Sequence, residues 1–302
     1  MRKKLGAGIV TYNKKELFQE CLNSLLNQTF KPDSIYIFDN ASTDGTTEFI
    51  LRLFFNDLIY NQDWINSIFN NVRIFYKRNN ENMGSSMGFF ELSKKMFDDG
   101  YEYILITDDD VLFKEDYIEK LLDFTEKNNY KMVTSLMVEN FKDFKVKSES
   151  PIFAGGLVSR DVFEKIGFPV NDYFIYWDDV EFILRAEKAG FKIQVCKEAF
   201  CIHDQFRFNK SVIRKQINFL GFKKEFTNIN EWKIYYSYRN MVITLINHKR
   251  FFDLSIKIIR AIILAFIFLI YKEINKFRLI LWGLKDGLLM RKGKNEKVFK
   301  FK

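Results

Sequence analysis

The fold is decided by the stretch Tyr103-Ile104-Leu105-Ile106-Thr107-Asp108-Asp109-Asp110-Val111. Its apolar first half predicts a buried strand, and three carboxylates follow where that strand ends. Because adjacent carboxylates repel one another, a cation between them would stabilise the folded chain. Oxygen ligands suit a hard divalent ion, Mg²⁺ or Mn²⁺, which also binds phosphates. The alternative is a solvated acidic turn that caps the following helix.

Strand and helix patterns alternate before and after this stretch. Strands are predicted at Lys4–Val10, Ile35–Phe38, Val72–Tyr76, Met132–Val138 and Pro151–Ser159, and helices at Lys14–Asn27, Thr47–Phe55, Phe89–Phe97 and Asp116–Lys127. This spacing predicts βαβ units, a parallel sheet and right-handed crossovers, and therefore an α/β fold. Residues 56–71 interrupt the rhythm and are interpreted as an insertion, and residues 141–150 as a mobile loop.

Polar clusters stand at the carboxyl ends of the predicted strands. They are Thr11–Asn13, Asp39–Ser42, Asn82–Gly88 and Asp108–Asp110. Ligands of parallel α/β sheets bind outside these strand ends, so the four clusters together predict a nucleotide-sized crevice. Each cluster alone is compatible with an ordinary loop between a strand and a helix. The paired Gly155 and Gly156 indicate either close approach to a ligand or packing against a neighbouring backbone.

A second acidic stretch, Tyr176–Ala186, predicts a helix that begins near Asp178. Capping at a helix N-terminus explains one acid, but not Asp178, Asp179 and Glu181 together beside a tryptophan. Two short strands, Lys192–Cys196 and Ala199–Ile202, then lead to His203. This histidine is interpreted as either a structural residue of an apolar strand or a ligand.

Charge divides the chain into two parts. Residues 1–204 hold 25 Lys and Arg against 33 Asp and Glu, whereas residues 205–302 hold 22 against 6. So basic a C-terminal part predicts an anionic partner. The three cysteines are an odd number, which is typical of a reducing compartment, and the first residues lack the apolar core of a signal peptide. We therefore expect a cytoplasmic protein.

The basic part is helical in pattern over residues 230–247 and 254–289. Its longest apolar run, Ala261–Tyr271, would rise about 16 Å as a helix, against roughly 30 Å of membrane hydrocarbon, so we do not expect it to span a bilayer. Two interpretations remain: a buried helix of a small bundle, or an amphipathic helix on an anionic membrane surface. The local positive charge favours the membrane surface, at the inner face of the cell membrane.

The ordered motifs resemble the family 2 inverting glycosyltransferases of GT-A fold, a Rossmann-like mixed sheet with flanking helices. The motifs that carry the resemblance are Thr11-Tyr12-Asn13, Asp39-Asn40-Ala41-Ser42-Thr43-Asp44-Gly45, Asn82-Met83-Gly84, Asp108-Asp109-Asp110, Trp177-Asp178-Asp179-Val180-Glu181 and His203. They look most like bacterial galactofuranosyl- and rhamnosyltransferases. The resemblance covers about residues 4–205, and the tail shares Tyr235-Tyr236 and Arg239-Asn240 only loosely. It implies a catalytic domain over 1–205 and a basic helical, acceptor-side region over 206–302.

The resemblance also implies roles for individual residues. Asp108, Asp110 and His203 would hold Mn²⁺ or Mg²⁺. The nucleotide sugar would be bound by Thr11, Tyr12, Asn13, Asp39, Asn82, Gly84 and Asp109. Asp179 would be the general base, with Trp177 and Asp178 shaping the acceptor pocket. Met83 stands where the family often has a smaller or more polar residue, which bears on the donor sugar.

The implied reaction is transfer of a sugar, with inversion, to a hydroxyl of a lipid-linked or polymeric cell-surface glycan. UDP-galactofuranose is the first choice of donor and dTDP-rhamnose the second. The chemistry fits the residues, because a metal neutralises the leaving diphosphate and a carboxylate takes the proton of the hydroxyl. The alternative is a non-catalytic glycan-assembly scaffold that retains the fold. We expect no nucleic-acid partner, since no recognised motif is present, and the sequence is compatible with a homo-oligomer.

Overall fold

The computed structural model describes residues 4–56, 63–203, 215–219, 222–226 and 230–301. The chain divides into two compact units: Met1–Asn171 with Phe182–Arg207, here called the first unit, and Asp172–Glu181 with Phe208–Lys302, the second unit. The predicted domain boundary between residues 205 and 206 lies outside the described residues. The division into 1–205 and 206–302 therefore stays a prediction.

The first unit is built on a mixed sheet. Its strands are β1 (Leu5–Thr11), β2 (Ser34–Asp39), β3 (Ile65–Phe69), β4 (Val72–Arg78), β5 (Tyr103–Asp108), β6 (Val111–Phe113), β7 (Met132–Val138), β8 (Val146–Glu149), β9 (Gly156–Ser159) and β10 (Ile193–His203). They lie in the order β3-β4-β2-β1-β5-β9-β7-β10-β6, with β8 against β7. Strands β4, β2, β1 and β5 are mutually parallel, as are β7 and β10. The predicted α/β class is confirmed.

Helices cover both faces of this sheet, because its central strands are apolar on both sides. The helices are α1 (Lys15–Leu26), α2 (Thr46–Phe55), α3 (Ser85–Asp98), α4 (Tyr117–Asn128), α5 (Arg160–Ile166) and α6 (Asp178–Lys188), of which residues 178–181 belong to the second unit. Alternate residues of β2 point to opposite faces. Ile35 and Ile37 join a core with Phe18 of α1, whereas Tyr36 and Phe38 join a second core with Phe89 of α3.

Several predicted element boundaries are wrong. Helix α3 begins at Ser85 rather than Phe89, because Gly84 (φ +86°) redirects the chain immediately before it. The interpreted insertion at 56–71 contains β3, an edge strand antiparallel to β4. The expected loop at 141–150 contains β8, whose residues are exposed and pair with β7. Neither Ile65–Phe69 nor Val146–Glu149 shows the apolar alternation on which strand prediction depends.

The two glycines of β9 and its preceding turn are explained by packing. Only residues 156–159 of the predicted 151–159 strand are extended. A Cβ on Gly156 would lie 2.4 Å from the carbonyl oxygen of Ile152, and one on Gly155 would lie 2.4 Å from the ring of Phe113. Strand β10 is continuous where two strands were predicted, with an irregular register between Val195 and Phe200.

The second unit contains three helices, α7 (Trp232–Asn247), α8 (Phe251–Ile270) and α9 (Ile274–Leu288), among its described residues. It also has a hairpin of β11 (Lys215–Phe219) and β12 (Phe222–Phe226) and a 3₁₀ helix at Glu296–Phe301. The single helical pattern predicted over 254–289 is two helices, separated at Lys272 by a positive φ of 59°. None of the helices in the described part of the chain combines the length and apolar character needed to cross a membrane.

Candidate active site

The polar loops of the first unit start from one edge of its sheet. Thr11 at the end of β1 is in register with Asp39 at the end of β2, and Val10 is in register with Asp108 at the end of β5. Parallel pairing therefore brings these strand ends side by side, as the sequence predicts. Strand β10 reaches the same region differently, because its antiparallel pairing with β6 sets His203 opposite Val111.

This pairing brings Asp108, Asp110 and His203 together as a candidate metal site. One ligand atom from each lies within 4.8 Å of the others. Asp110 is 8% exposed, and its Oδ1 is buried without a hydrogen-bond partner, 3.4 Å from Nε2 of His203. A buried carboxylate oxygen left without a donor is costly, and a cation would satisfy it. Two carboxylates and an imidazole are ligands that Mn²⁺ or Mg²⁺ accepts.

The geometry does not fit the alternative of a solvated acidic turn. Asp109 and Asp110 are buried, and helix α4 begins seven residues beyond Asp110, after Asp116. Cys196 and Cys201 are buried free thiols, as is Cys21. Nε2 of His203 lies 3.4 Å from Oδ1 of Asp110, so His203 lies beside an acid rather than in an all-apolar environment. Its interpretation as a purely structural residue therefore loses its main support.

Lys14 is a charged neighbour of this site that sequence analysis missed. Its Nζ lies 2.5 Å from Oδ2 of Asp110 and 3.4 Å from Oδ1 of Asp109. Burial opposes the lysine charge, but the attraction of Asp109 and Asp110 outweighs it and raises the pKa of Lys14. The sequence feature that could have identified Lys14 is its position, three residues beyond Thr11 and immediately before the helix that follows β1.

The same neighbours separate the pKa values of the two buried acids. Burial raises the pKa of Asp109 to about 6, although Lys14 opposes this shift. Burial also acts on Asp110, yet the charges of Lys14 and His203 prevail and hold the pKa of Asp110 below its ordinary value. Asp110 is therefore the carboxylate best prepared to bind a cation at neutral pH.

Asp109 points back to the loop that follows β1. Its Oδ2 accepts hydrogen bonds from the Thr11 hydroxyl (2.9 Å) and the Tyr12 backbone N–H (3.1 Å). Asn13 links the same loop to the one after β2, because its Oδ1 accepts the Thr43 N–H at 2.7 Å. The loops are thus joined into one surface. The assignment of Thr11, Tyr12, Asn13 and Asp109 to nucleotide-sugar binding stays a prediction.

Asp39 is fully buried and bonded by the protein. Its Oδ1 accepts the Ser42 N–H, and its Oδ2 accepts the hydroxyls of Thr47 and Tyr76. Arg78 lies 3.8 Å from Oδ2. These hydrogen bonds show that Asp39 holds the loop after β2 in place. A nucleotide would contact Asp39 only by replacing one of these partners, and the binding role of Asp39 stays a prediction.

Asn82 and Gly84 shape the loop before α3. Oδ1 of Asn82 accepts hydrogen bonds from the Gly84 N–H (2.8 Å) and from Nδ2 of Asn40 (3.0 Å). Asn40 in turn accepts the Met83 N–H at 2.9 Å. The amide pair ties this loop to the end of β2, and the positive φ of Gly84 lets the chain enter α3 there. Their contact with a donor stays a prediction.

Trp177, Asp178 and Asp179 belong to the second unit, on a strained segment. Phe174, Tyr176 and Trp177 have φ values near +70°, a conformation that is costly for bulky residues. Such strain persists only where surrounding contacts enforce it.

Two neighbouring residues of α7 enforce this conformation. Nδ2 of Asn240 donates to the carbonyl oxygens of Tyr173, Ile175 and Tyr176 at 2.9–3.0 Å, and Arg239 donates to Tyr173 at 2.7 Å. Both side chains are buried. The Arg239-Asn240 pair that sequence analysis noted only as a loose resemblance is thus what holds the segment before Asp178.

At the start of α6, Asp178 and Glu181 are buried and Asp179 is half-buried. Burial, with the neighbouring charge of Asp179, raises the pKa of Asp178 to about 7, and Oδ2 of Asp178 has no hydrogen-bond partner. Burial also raises the pKa of Asp179, whose Oδ1 accepts the Val180 N–H at 2.7 Å. A carboxylate with a raised pKa is better suited to take a proton.

His248 is a second neighbour that sequence analysis missed. Its Nε2 lies 3.5 Å from Oε1 of Glu181, and both side chains are almost buried. It immediately follows α7, the helix that holds the strained segment. No local sequence pattern connects it with Glu181, because 67 positions separate them.

Comparison with known proteins agrees with the fold: the chain has the architecture of the glycosyltransferases of GT-A fold. The profile described as "Glycosyl transferase family 2" matches residues 7–216. The chain belongs to this family, which confirms the family resemblance stated from the motifs. Its particular closeness to galactofuranosyl- and rhamnosyltransferases stays a prediction.

Two curated relatives match parts of the chain. Abequosyltransferase RfbV of Salmonella typhimurium is 40% identical over 103 residues, which are 33% of this chain and 27% of the relative. The low-salt glycan biosynthesis hexosyltransferase Agl10 of Haloferax volcanii is 27% identical over 146 residues, 47% of this chain and 43% of the relative. The chain therefore spans less than half the length of these relatives.

Two solved structures share the fold at 14% identity. The mannosyltransferase PcManGT from Pyrobaculum calidifontis, in complex with GDP-Man and Mn²⁺, has a TM-score of 0.54 and covers 96% of this chain and 74% of its own. TarS 1-349 of S. aureus, in complex with UDP-GlcNAc, has a TM-score of 0.51 and covers 81% of this chain and 67% of its own.

Proposed function

We propose that this glycosyltransferase uses a nucleotide sugar and a divalent cation, Mn²⁺ or Mg²⁺, and transfers the sugar with inversion to a glycan hydroxyl. The observation that carries the proposal is the convergence of Asp108, Asp110 and His203, with an unsatisfied Oδ1 on Asp110. The complexes of PcManGT with GDP-Man and Mn²⁺ and of TarS with UDP-GlcNAc support this class of donor.

Asp108, Asp110 and His203 would hold the metal ion beside the loops after β1, β2 and β4. When bound, the ion neutralises charge on the leaving diphosphate. Asp109 keeps the Thr11–Tyr12 turn in place through two hydrogen bonds, and Asn82 keeps the loop before α3 in place. These loops would bind the nucleoside and orient the sugar.

Asp179 would take the proton of the acceptor hydroxyl as the new glycosidic bond forms. A sugar hydroxyl is a poor nucleophile, and the raised pKa of Asp179 improves its ability to accept this proton. A single displacement needs no carboxylate nucleophile, so the configuration of the anomeric carbon inverts. Asp178 and Trp177 would border the acceptor.

Galactofuranose remains the first choice of transferred sugar and rhamnose the second, on the basis of the Trp177–Glu181 motif. The abequosyltransferase and hexosyltransferase relatives support transfer of a hexose or deoxyhexose. We propose a lipid-linked or polymeric cell-surface glycan as the acceptor, and the name of Agl10, a glycan biosynthesis hexosyltransferase, supports a glycan product.

We further propose that the second unit lies at the anionic inner surface of the cell membrane. In α8, Ile259, Ile263, Phe266 and Ile270 are each more than half exposed. Lys257 and Arg260 on the same helix are also exposed. An apolar face accompanied by lysine and arginine suits an anionic lipid surface. Flotation of the full chain with anionic liposomes, compared with neutral ones, tests this location, and equal binding to both would contradict it.

Donor and metal are tested together by a thermal-shift panel. The panel should contain UDP-galactofuranose, dTDP-rhamnose, GDP-mannose, UDP-galactose, UDP-glucose and UDP-N-acetylglucosamine, each with and without Mn²⁺. We expect one donor to raise Tm only when Mn²⁺ is present, because binding to the folded state alone stabilises it. If no nucleotide sugar shifts Tm under either condition, the result contradicts the proposed function and favours the alternative of a non-catalytic glycan-assembly scaffold.

The base is tested with Asp179→Asn, which keeps the shape of the side chain and removes its ability to accept a proton. We expect kcat to fall about 10²- to 10⁴-fold while the Mn²⁺-dependent donor shift stays unchanged. Asp172→Asn, on the same segment, is the matched control and should retain activity. Substantial turnover by Asp179→Asn would refute the base assignment.

A further inference from the structure

A cavity of about 410 Å³ lies within the second unit. Its walls come from the strained segment and from all three helices, with Trp177, Ile234, Leu264, Phe268 and Ile280 as the principal apolar residues. Its size falls within the range of small-molecule sites. Of its lining residues, the proposed reaction uses only Trp177, at the border of the acceptor.

One wall of the cavity is chemically unlike a sugar site. Leu264, Phe268 and Ile280 belong to the hydrophobic core of the helices or pack against it, and they offer no hydrogen bonds. Monosaccharide hydroxyls desolvated against such a wall would lose bonds to water without replacement. An alkyl or isoprenoid chain has no polar groups to satisfy, so burial of its surface here is favourable.

Ammonium groups accompany these apolar walls. Lys233 and Lys276 line the cavity, and Nζ of Lys257 lies 5.6 Å from the ring centre of Trp177. Lys276 also pairs with Glu273 at 3.3 Å and Glu231 at 4.0 Å. Lys233 and Lys276 thus bring ammonium groups to the cavity, and an ammonium group can bind a phosphate.

Residues that line the cavity are adjacent in sequence to Asp178 and Asp179. Tyr176, Trp177 and Val180 line it, and Asp178 and Asp179 lie between Trp177 and Val180 in sequence. The carbonyl of Tyr176 is also one of the three that Asn240 holds. A molecule bound in the cavity would therefore end beside the residues assigned to the acceptor.

From these observations we infer that the cavity binds the phosphate-bearing, single-chain lipid portion of the acceptor. The apolar chain packs against Leu264, Phe268 and Ile280, and Lys233 and Lys276 bind the phosphate. This inference rests on the proposed glycosyltransferase function and specifies its acceptor. A concave site of this kind accepts one chain, whereas a bilayer requires a broad exposed face.

The test measures binding of farnesyl phosphate to the full chain by isothermal titration calorimetry, in the absence of donor. Farnesol and inorganic phosphate are titrated separately. We expect farnesyl phosphate to bind at least tenfold more tightly than either, because it alone satisfies both the walls and the lysines. Equal affinity for farnesol overturns the role of the lysines, and equal affinity for inorganic phosphate overturns the role of the cavity.

Matched variants connect the binding to the cavity. Ser237 lines it, so Ser237→Trp should fill it and weaken farnesyl phosphate binding at least tenfold, whereas Ser255→Trp on the exposed side of α8 should not. Lys233→Gln should weaken binding of the phosphate form only, with Lys272→Gln as its control. Unchanged affinity in both cavity variants overturns the inference, as does binding that occurs only on phosphatidylglycerol vesicles and is equal in Ser237→Trp.

The Mn²⁺-dependent donor shift is measured on the same samples. A normal shift shows that each variant is folded and that the first unit is intact. A donor shift without farnesyl phosphate binding overturns this inference and leaves the proposed function standing. Absence of the donor shift in the parent chain contradicts the proposed function itself.

Discussion

Two acidic clusters in this chain look alike in sequence and differ in their surroundings. In Asp108–Asp110 of the first unit, Lys14 lies against two of the carboxylates and lowers the pKa of Asp110. In Asp178–Asp179 of the second unit, burial raises the pKa of both acids, that of Asp178 to about 7. In the first cluster Asp110 is thus prepared to stay ionised, although burial raises the pKa of Asp109 to about 6, whereas both acids of the second cluster are prepared to take up protons.

The difference teaches that the role of an aspartate is set by the element that carries it. The first cluster lies at the end of a central strand, where sheet register brings in His203 and the helix after β1 brings in Lys14. The second lies at the start of a helix, behind a strained segment that α7 holds. Cation binding suits the first environment, and proton transfer suits the second.

The largest effect should follow from Asp110→Asn, which removes the charge but keeps the shape. We expect Mn²⁺-dependent donor binding to be lost and kcat/KM to fall at least about 100-fold, because the ligand to the cation is lost. The measurements are the Tm shift with the donor and Mn²⁺ and the steady-state rate. Asp116→Asn, which removes a partner of Lys114, is the control. Unchanged donor affinity of Asp110→Asn in excess Mn²⁺ would contradict the assignment of Asp110 as a metal ligand.

The next effect concerns Asn240→Ala, which removes three hydrogen bonds to the strained segment. We expect kcat to fall about 10- to 100-fold, since a small displacement of a catalytic group has an effect of this size. The Mn²⁺-dependent donor shift should be retained, because Asn240 belongs to the second unit. Asn247→Ala, at the exposed end of the same helix, is the matched control. Equal activity of the two variants would show that the segment keeps its conformation without the three hydrogen bonds of Asn240.

The first cluster was predictable from sequence to a greater extent than the second. Apolar strands followed by polar residues identify the carboxyl edge of a parallel sheet, so Thr11, Asp39 and Asp108 could be expected near one another. His203 required the family resemblance, because its position depends on the antiparallel pairing of β10 with β6. Lys14 went unnoticed because a lysine at the start of a helix ordinarily indicates a solvated surface.

The second cluster depends on contacts that no local pattern records. The acids at 178–181 were recognised as more than a helix cap, but not the positive φ values of Phe174, Tyr176 and Trp177. Strain of this kind is set by Arg239 and Asn240, more than sixty positions away in the chain. Pairing over such distances is decided by tertiary packing, which local propensity does not determine.

A smaller effect is expected for Lys14→Met, which tests what keeps Asp110 ionised. Lys14 and a metal ion compete for the charge of Asp110, so removing the lysine should tighten Mn²⁺ binding by up to about tenfold. Calorimetric titration of Mn²⁺ measures this, and Lys15→Met removes the same charge from the next residue as a control. Weaker Mn²⁺ binding in Lys14→Met would mean that Lys14 organises the site rather than competing for it.

The last effect concerns stability and the second cluster. The pKa of Asp178 is about 7 in the folded chain, against 3.8 for an ordinary aspartate, chiefly because the carboxyl is buried. Between these pH values the folded state keeps a proton that the unfolded state has lost, so stability falls as pH rises from about 4 to about 7. Asp178→Asn carries no charge at any pH and should be more stable than the parent above pH 7, by up to about 4 kcal/mol, with the difference vanishing near pH 4.

Urea unfolding of both proteins at pH 4, 6 and 8 measures this difference, with Asp123→Asn on the exposed side of α4 as the control. A gain that is the same at all three pH values would mean that Asp178 affects packing rather than charge. A loss at pH 8 would mean that an ionised Asp178 has a stabilising partner, and the contrast between the two clusters would then rest on Asp179 alone. Asp109 of the first cluster has a pKa raised by burial to about 6 and should add a dependence of the same sign to the stability of the parent chain. The difference between the parent and Asp178→Asn therefore isolates the contribution of the second cluster.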